Sequence, residues 1–162
     1  MTETPFSPEN HGAGAPLYFE DLALGRRFEI PSRTMTEALF AAFQTASGDN
    51  HPSHYDIEYC RRHGNPNLLA HGYQIAIQAA PGAGDFPFIV GAAMMGFLEQ
   101  SSRFLKPVHA GDTLYPTLTV SELAAQNTTG VVTLEVTIHN QHGVLVMDGT
   151  QKFLLRMRDP IG

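Results

Sequence analysis

The chain carries one cysteine in 162 residues, Cys60, which excludes an internal disulfide and any metal cluster built on several cysteines. Positive charge is scarce too: ten Lys and Arg stand against sixteen Asp and Glu, the net charge is −6, and no basic cluster appears. Nucleic acid is therefore a poor partner, since phosphate binding needs a basic face. The longest nearly apolar run, Phe86 to Leu98, has 13 residues. A helix that crosses a bilayer needs about 20, so no membrane span is expected. The first residues show neither a basic stretch nor an apolar one and do not read as a signal peptide. A reducing, cytoplasmic setting is the expectation.

What is present is an ordinary globular composition, 43% hydrophobic and 16% charged, in a chain long enough for one domain with its own core. Residues 1–16, rich in Pro, Gly, Asn and Ser, read as a flexible arm ahead of one domain over 17–162. A turn at Gly25 leads to a short strand at Arg26 to Ile30. Leu39, Phe40 and Phe43 share a helical stripe that Thr34 or Thr36 can cap and Gly48 can stop. From His71 to Ala80 only Gln74 and Gln78 interrupt the apolar residues of a second helix, a pattern that predicts burial on all sides until Pro81-Gly82 ends it. Beyond it lie β-like runs at 88–100, 101–108, 113–125, 130–141 and 144–158. Val132, Leu134, Val136 and Ile138 alternate with polar residues, the period of a half-buried strand. Short turns between the last runs predict antiparallel pairing. The fold class is α+β, a long antiparallel sheet wrapped around a central helix.

Four of the eight histidines fall between Ser47 and Tyr73, with Asp49 and Asp56 beside them. Three readings compete: a metal site, an acid/base site, or a loop that braces its own backbone. His51, His54 and His71 with a carboxylate are possible Zn²⁺ or Fe²⁺ ligands, but Pro52 breaks a regular helical ligand face. Asp49 and His54 occupy a turn, where two side chains can point at one water and act as an acid/base pair. Gly72, opening the second helix, can present backbone N–H to a carbonyl oxygen that gathers charge. The bland alternatives are a turn role for Asp49, bracing roles for His51 and His71, and an N-cap at Asp56. Cys60 has no base close in sequence, and a structural thiol is the simpler reading.

The string Ser47-Gly48-Asp49-Asn50-His51-Pro52-Ser53-His54-Tyr55-Asp56, followed by Leu69-Ala70-His71-Gly72-Tyr73, resembles the MaoC-like dehydratase family, the R-specific enoyl-CoA hydratases of the hot-dog fold. The likeness continues through Ser102 to Leu114 and spans about Tyr18 to Arg158. It implies that Asp49 and His54 activate the water added across the C2=C3 bond of an enoyl thioester, and that the Gly72 N–H polarises the thioester carbonyl. It also implies a homodimer or a dimer of dimers, an acyl-CoA or acyl-carrier thioester substrate, and neither a metal nor an organic cofactor. Ser47, His51, His71, Tyr73 and Gln74 are the flanking candidates for substrate contact. His51 stands where the family usually has Asn, and Tyr73-Gln74 replace its common Met-Leu-type residues. With Ser102 and Arg103, these changes suit a short, branched or carboxylated acyl group. A hot-dog thioesterase and a non-catalytic acyl-thioester binding module are the alternatives.

Overall fold

The computed structural model describes residues 14–159, so most of the expected N-terminal arm lies outside the described residues. Six strands form one antiparallel sheet. β1 (Arg27–Glu29) and β2 (Arg33–Thr34) both pair with β4 (Thr113–Ala125), which pairs in turn with β5 (Thr129–Asn140). β6 (Leu145–Arg156) follows, and β3 (Met94–Phe104) closes the other end of the sheet. Side-chain alternation sets which face is core. Leu134 and Ile138 of β5 are fully buried beside Leu118 of β4 and Leu155 of β6, while Glu135 is exposed. Gly149 of β6 is required by a close approach: a Cβ there would lie 2.0 Å from the Ser101 carbonyl oxygen.

Among the described residues, four short α-helices lie against or beside this sheet: α1 (Glu37–Ser47), α2 (Ile57–Arg62), α3 (Gly72–Ala76) and α4 (Phe86–Val90). Thr36 caps α1 by accepting from the Leu39 N–H. Gly48, at φ 71°, ends it in the left-handed region that favours glycine. Asp56 caps α2, accepting from the Tyr59 N–H at 2.9 Å. α3 tightens into a 3-10 turn over Ile77–Ala79, and Pro81 opens a separate turn. Ile75 and Ala79 sit in the core with Phe40, Phe86 and Phe153. The Gln151 side-chain amide of β6 donates to the Ala79 carbonyl at 2.9 Å, tying helix to sheet.

Two expectations need correction. Residues 88–93 are not strand: Phe86–Val90 is helical, a 3-10 turn follows, and β3 begins only at Met94. Pro87 in the first helical turn and Gly91 just past the end, at φ 48°, set those limits. The run at 101–108 is likewise no separate strand, because β3 continues through Ser101 to Phe104. The second correction concerns polarity. The helix from Gly72 is not buried on all sides: Ile75, Ala79, Gln74 and Gln78 are buried, whereas Tyr73 is 80% and Ile77 53% exposed. Periodicity reports which residues share a face, but not which face meets the core.

Candidate active site

Short-range capping in the loop that follows α1 gathers the polar side chains. The Ser47 hydroxyl accepts from the Asp49 N–H, and the Asp49 carboxylate from the His51 N–H, both at 3.2 Å. His51 Nδ1 accepts from the Ser53 N–H and opens the 3-10 turn Pro52–His54. His51 thus fills the turn-capping place with a ring nitrogen and stays exposed. The Gln44 amide of α1 donates to Asn50, anchoring the loop to the helix behind it. Cys60 is buried with its thiol donating to the Ser53 carbonyl, a structural position.

The turn delivers His54 inward. Its Nδ1–H donates to the Leu69 carbonyl at 2.5 Å, which fixes the proton there and leaves the Nε2 lone pair free. Burial holds the His54 pKa below the ordinary histidine value, the Leu69 carbonyl opposes this, and the neighbouring His71 adds to it. The His54 and His71 rings stack with centroids 3.5 Å apart. His71 is 3% exposed, and its Nε2 lies 3.7 Å from Asp49 Oδ2. The Tyr55 hydroxyl donates to the Asp49 backbone carbonyl at 2.8 Å and stands 3.1 Å from His71 Nε2. With its proton on Nδ1, His71 donates to Gln74 Oε1 at 3.3 Å. Burial and the Asp49 carboxylate both raise the Tyr55 pKa, so the phenol stays protonated as this donor.

One donor atom each from Asp49, His54 and His71 falls within 4.8 Å of the other two. That spacing admits one water bridging a carboxylate and an imidazole. It suits a metal poorly: the two rings lie within 20° of parallel, so their in-plane lone pairs do not converge as a tetrahedral ion requires. Gly72 begins α3 beside this cluster with no side chain capping the helix start. The first N–H groups of a helix lack intrahelical acceptors. A Cβ on Gly72 would sit 3.0 Å from the Phe104 ring, so glycine keeps the approach narrow. An open groove of about 420 Å³ runs from Gly72 past Phe104, Leu105 and Lys106.

Of the residues singled out from sequence, Asp49, His54, His71, Gly72 and Gln74 come together. Ser47 and His51 brace the loop, and Tyr73 points away into solvent at 80% exposure. Sequence reasoning missed Tyr55 and the Leu69 carbonyl. Tyr55 follows His54 directly, and a tyrosine adjoining a titratable pair was the available signal; a backbone carbonyl leaves none.

Residues 21–141 match the MaoC like domain, and the chain belongs to the MaoC-like dehydratase family. It is 28% identical over 139 residues to the (R)-specific enoyl-CoA hydratase of Rhodospirillum rubrum, covering 80% of this chain and 91% of that one. Over 106 residues it is 35% identical to Protein MaoC of Klebsiella aerogenes, covering 63% of this chain but only 30% of that protein. Among solved structures, the monoamine oxidase regulatory protein of Archaeoglobus fulgidus superposes with a TM-score of 0.81 at 29% identity, over 89% of this chain and 97% of that one. A Mycobacterium tuberculosis protein described as a double hot-dog fold matches at TM-score 0.74 and 27% identity, over 91% of this chain and 45% of that one. The sheet wrapped around a helix is thus the hot-dog fold. No helix among the described residues is long and apolar enough to cross a membrane.

Proposed function

We propose that the chain is a hydro-lyase that adds or removes water across the C2=C3 bond of an enoyl thioester. The observation that carries this reading is the Asp49–His54 pair, held within one water's reach beside the uncapped start of α3 at Gly72. In the hydration direction a water sits between the Asp49 carboxylate and the free Nε2 of His54. Nε2 takes one proton as the oxygen bonds to C3, and the π electrons move through C2 to the thioester oxygen. That enolate accepts a hydrogen bond from the Gly72 N–H, and a proton is then delivered to C2, so the whole water is consumed. Lowered basicity suits His54 to this exchange, because it enters neutral and can return what it takes. His71 and Tyr55 act as positioning residues, one stacked on His54 and the other fixing the Asp49 backbone. The reaction calls for no metal or organic cofactor. The groove past Phe104 and Lys106 would take the pantetheine arm of coenzyme A or of a carrier protein.

The reading extends to a homodimer working in the cytoplasm. The support for the homodimer is the edge strand β3, which among the described residues pairs only with β6 and is flanked by exposed Phe97, Leu98, Tyr73 and Ile77, an apolar surface of the kind that pairs copies of a chain. Light scattering that returns a stable monomer would remove this part alone.

The test follows the enoyl-thioester absorbance band with crotonyl-, octenoyl- and mesaconyl-coenzyme A, using wild type and Asp49→Asn. Loss of the band with at least one substrate, abolished in the folded variant, supports hydration. Release of free thiol in its place would make the chain a thioesterase, and binding without turnover would make it a binding module.

A further inference from the structure

A second and smaller cavity, about 210 Å³, lies between α1 and α3 on the side of the helix that carries the glutamines. It abuts the catalytic cluster without including it: Phe43, in its wall, packs against the His71 ring with centroids 4.7 Å apart, and Gln74, also in its wall, is hydrogen-bonded to His71. Leu39, Ala42 and Ile77 continue the apolar walls. From Ala46 to Leu39 is about 10 Å along the helix axis. The volume falls below the roughly 300–1,000 Å³ typical of sites for drug-sized ligands, so only a short acyl chain fits.

Of the three polar residues that line this mostly apolar cleft, two have a donor with no protein partner among the described residues. Gln74 is 1% exposed, and while its Oε1 accepts from His71, its Nε2 is buried without a partner. A buried donor left unmade costs about 1–3 kcal/mol, a cost relieved when an occupant accepts from it. Arg33, carried on β2, lines the same cleft at an exposed position and meets no carboxylate among the described residues. Arg26, Arg62 and Arg156 likewise meet none there, but of these four only Arg33 lines the cleft. A cation and a neutral donor, both without a protein partner among the described residues, thus line one short, mostly apolar cleft beside the reacting centre.

We propose that the acyl group this site takes is short and ends in a second carboxylate, with Arg33 as its cation and Gln74 Nε2 as a hydrogen-bond donor. This rests on the acyl-thioester reading above and narrows it to a dicarboxylic acyl thioester. Gln78 shares the floor, but its amide is already spent on the Gln74 carbonyl at 3.0 Å and takes no part. Arginine suits the role because its planar fork matches a carboxylate in two bonds.

The test is calorimetric binding of succinyl- and butyryl-coenzyme A, which have four-carbon acyl groups that differ at the far end and no double bond to hydrate. Wild type should bind the succinyl thioester at least tenfold more tightly. In Arg33→Gln, a change at an exposed position that leaves the fold intact, the ratio of the two affinities should fall to about one. Gln74→Met should reduce the ratio severalfold. Equal binding of both thioesters by wild type, or an Arg33→Gln ratio no different from wild type, would overturn the carboxylate assignment and leave the thioester reading standing. Failure of both thioesters to bind would overturn the thioester reading itself.

Discussion

The strands β4 to β6 and the segment from Ser47 to Gln78 come from one chain, yet they are specified by different physics. In the strands, core face and solvent face follow from a two-residue alternation, and Val132, Leu134, Val136 and Ile138 are buried as that alternation requires. In the other segment the order comes from caps and turns: Gly48 at φ 71°, the Asp49 carboxylate on the His51 N–H, His51 on the Ser53 N–H, and Asp56 on the Tyr59 N–H. Burial there runs against hydropathy, with His54, His71, Gln74 and Gln78 inside and Tyr73 and Ile77 outside. A sheet whose core face is mostly apolar can carry a segment in which several inward side chains are polar. On the proposed reading, stability resides in the first region and chemistry in the second.

The sharpest way to break that division is to move one property without the other. Asp49→Asn, at an exposed position, should lower kcat/KM for hydration by about 10²–10⁴-fold. Its thermal unfolding midpoint should remain that of wild type. A large drop in that midpoint would mean that Asp49 is part of the framework. The converse is Leu134→Ala in β5, which removes a fully buried side chain and should cost about 2–5 kcal/mol in denaturant unfolding. The kcat of the remaining folded protein should not change; if it falls with stability, sheet and site are not separable.

A smaller effect is expected where the two regions meet. Tyr55→Phe deletes the hydroxyl that donates to the Asp49 carbonyl and should cost about 0.5–1.5 kcal/mol. Its hydration rate should fall by less than that of Asp49→Asn, because the carboxylate stays and only its support loosens. The mildest test is pH. Burial depresses His54 below the ordinary histidine value, so on acidification the unfolded chain takes up a proton before the folded one does. Stability should therefore decline as pH falls through the ordinary histidine range. The acid limb of kcat/KM should lie below that range, since Nε2 must be unprotonated to accept a proton. An acid limb above it would show that His54 is not the group that sets it.

The same contrast explains what the sequence allowed to be read. The strand cores, the antiparallel order, the Thr36 and Asp56 caps and the Gly48 stop all follow from local rules that leave a mark in the residues themselves. Asp49, His54 and Gly72 stand out through a motif, and the structure brings them to one place. Polarity inversion in α3 was not legible, because a helical stripe of Tyr73 and Ile77 looks the same whether it meets the core or a second surface. The start of the 88–100 run reads as strand because a short apolar run has no period to distinguish strand from helix; Pro87 and Gly91 carry the better signal. The pairing of Arg33 with Gln74 in one cleft joins residues 41 positions apart through the docking of α1 on α3, and no local pattern records it.

The measurement that bears most directly on the central claim compares Asp49→Asn, His54→Ala and the combined variant in enoyl-thioester hydration. If the two side chains work on one shared water, losing either removes the step, and the double variant should retain about the kcat/KM of the worse single one. If the two losses multiply in the double variant, Asp49 and His54 act independently and the shared-water account is wrong.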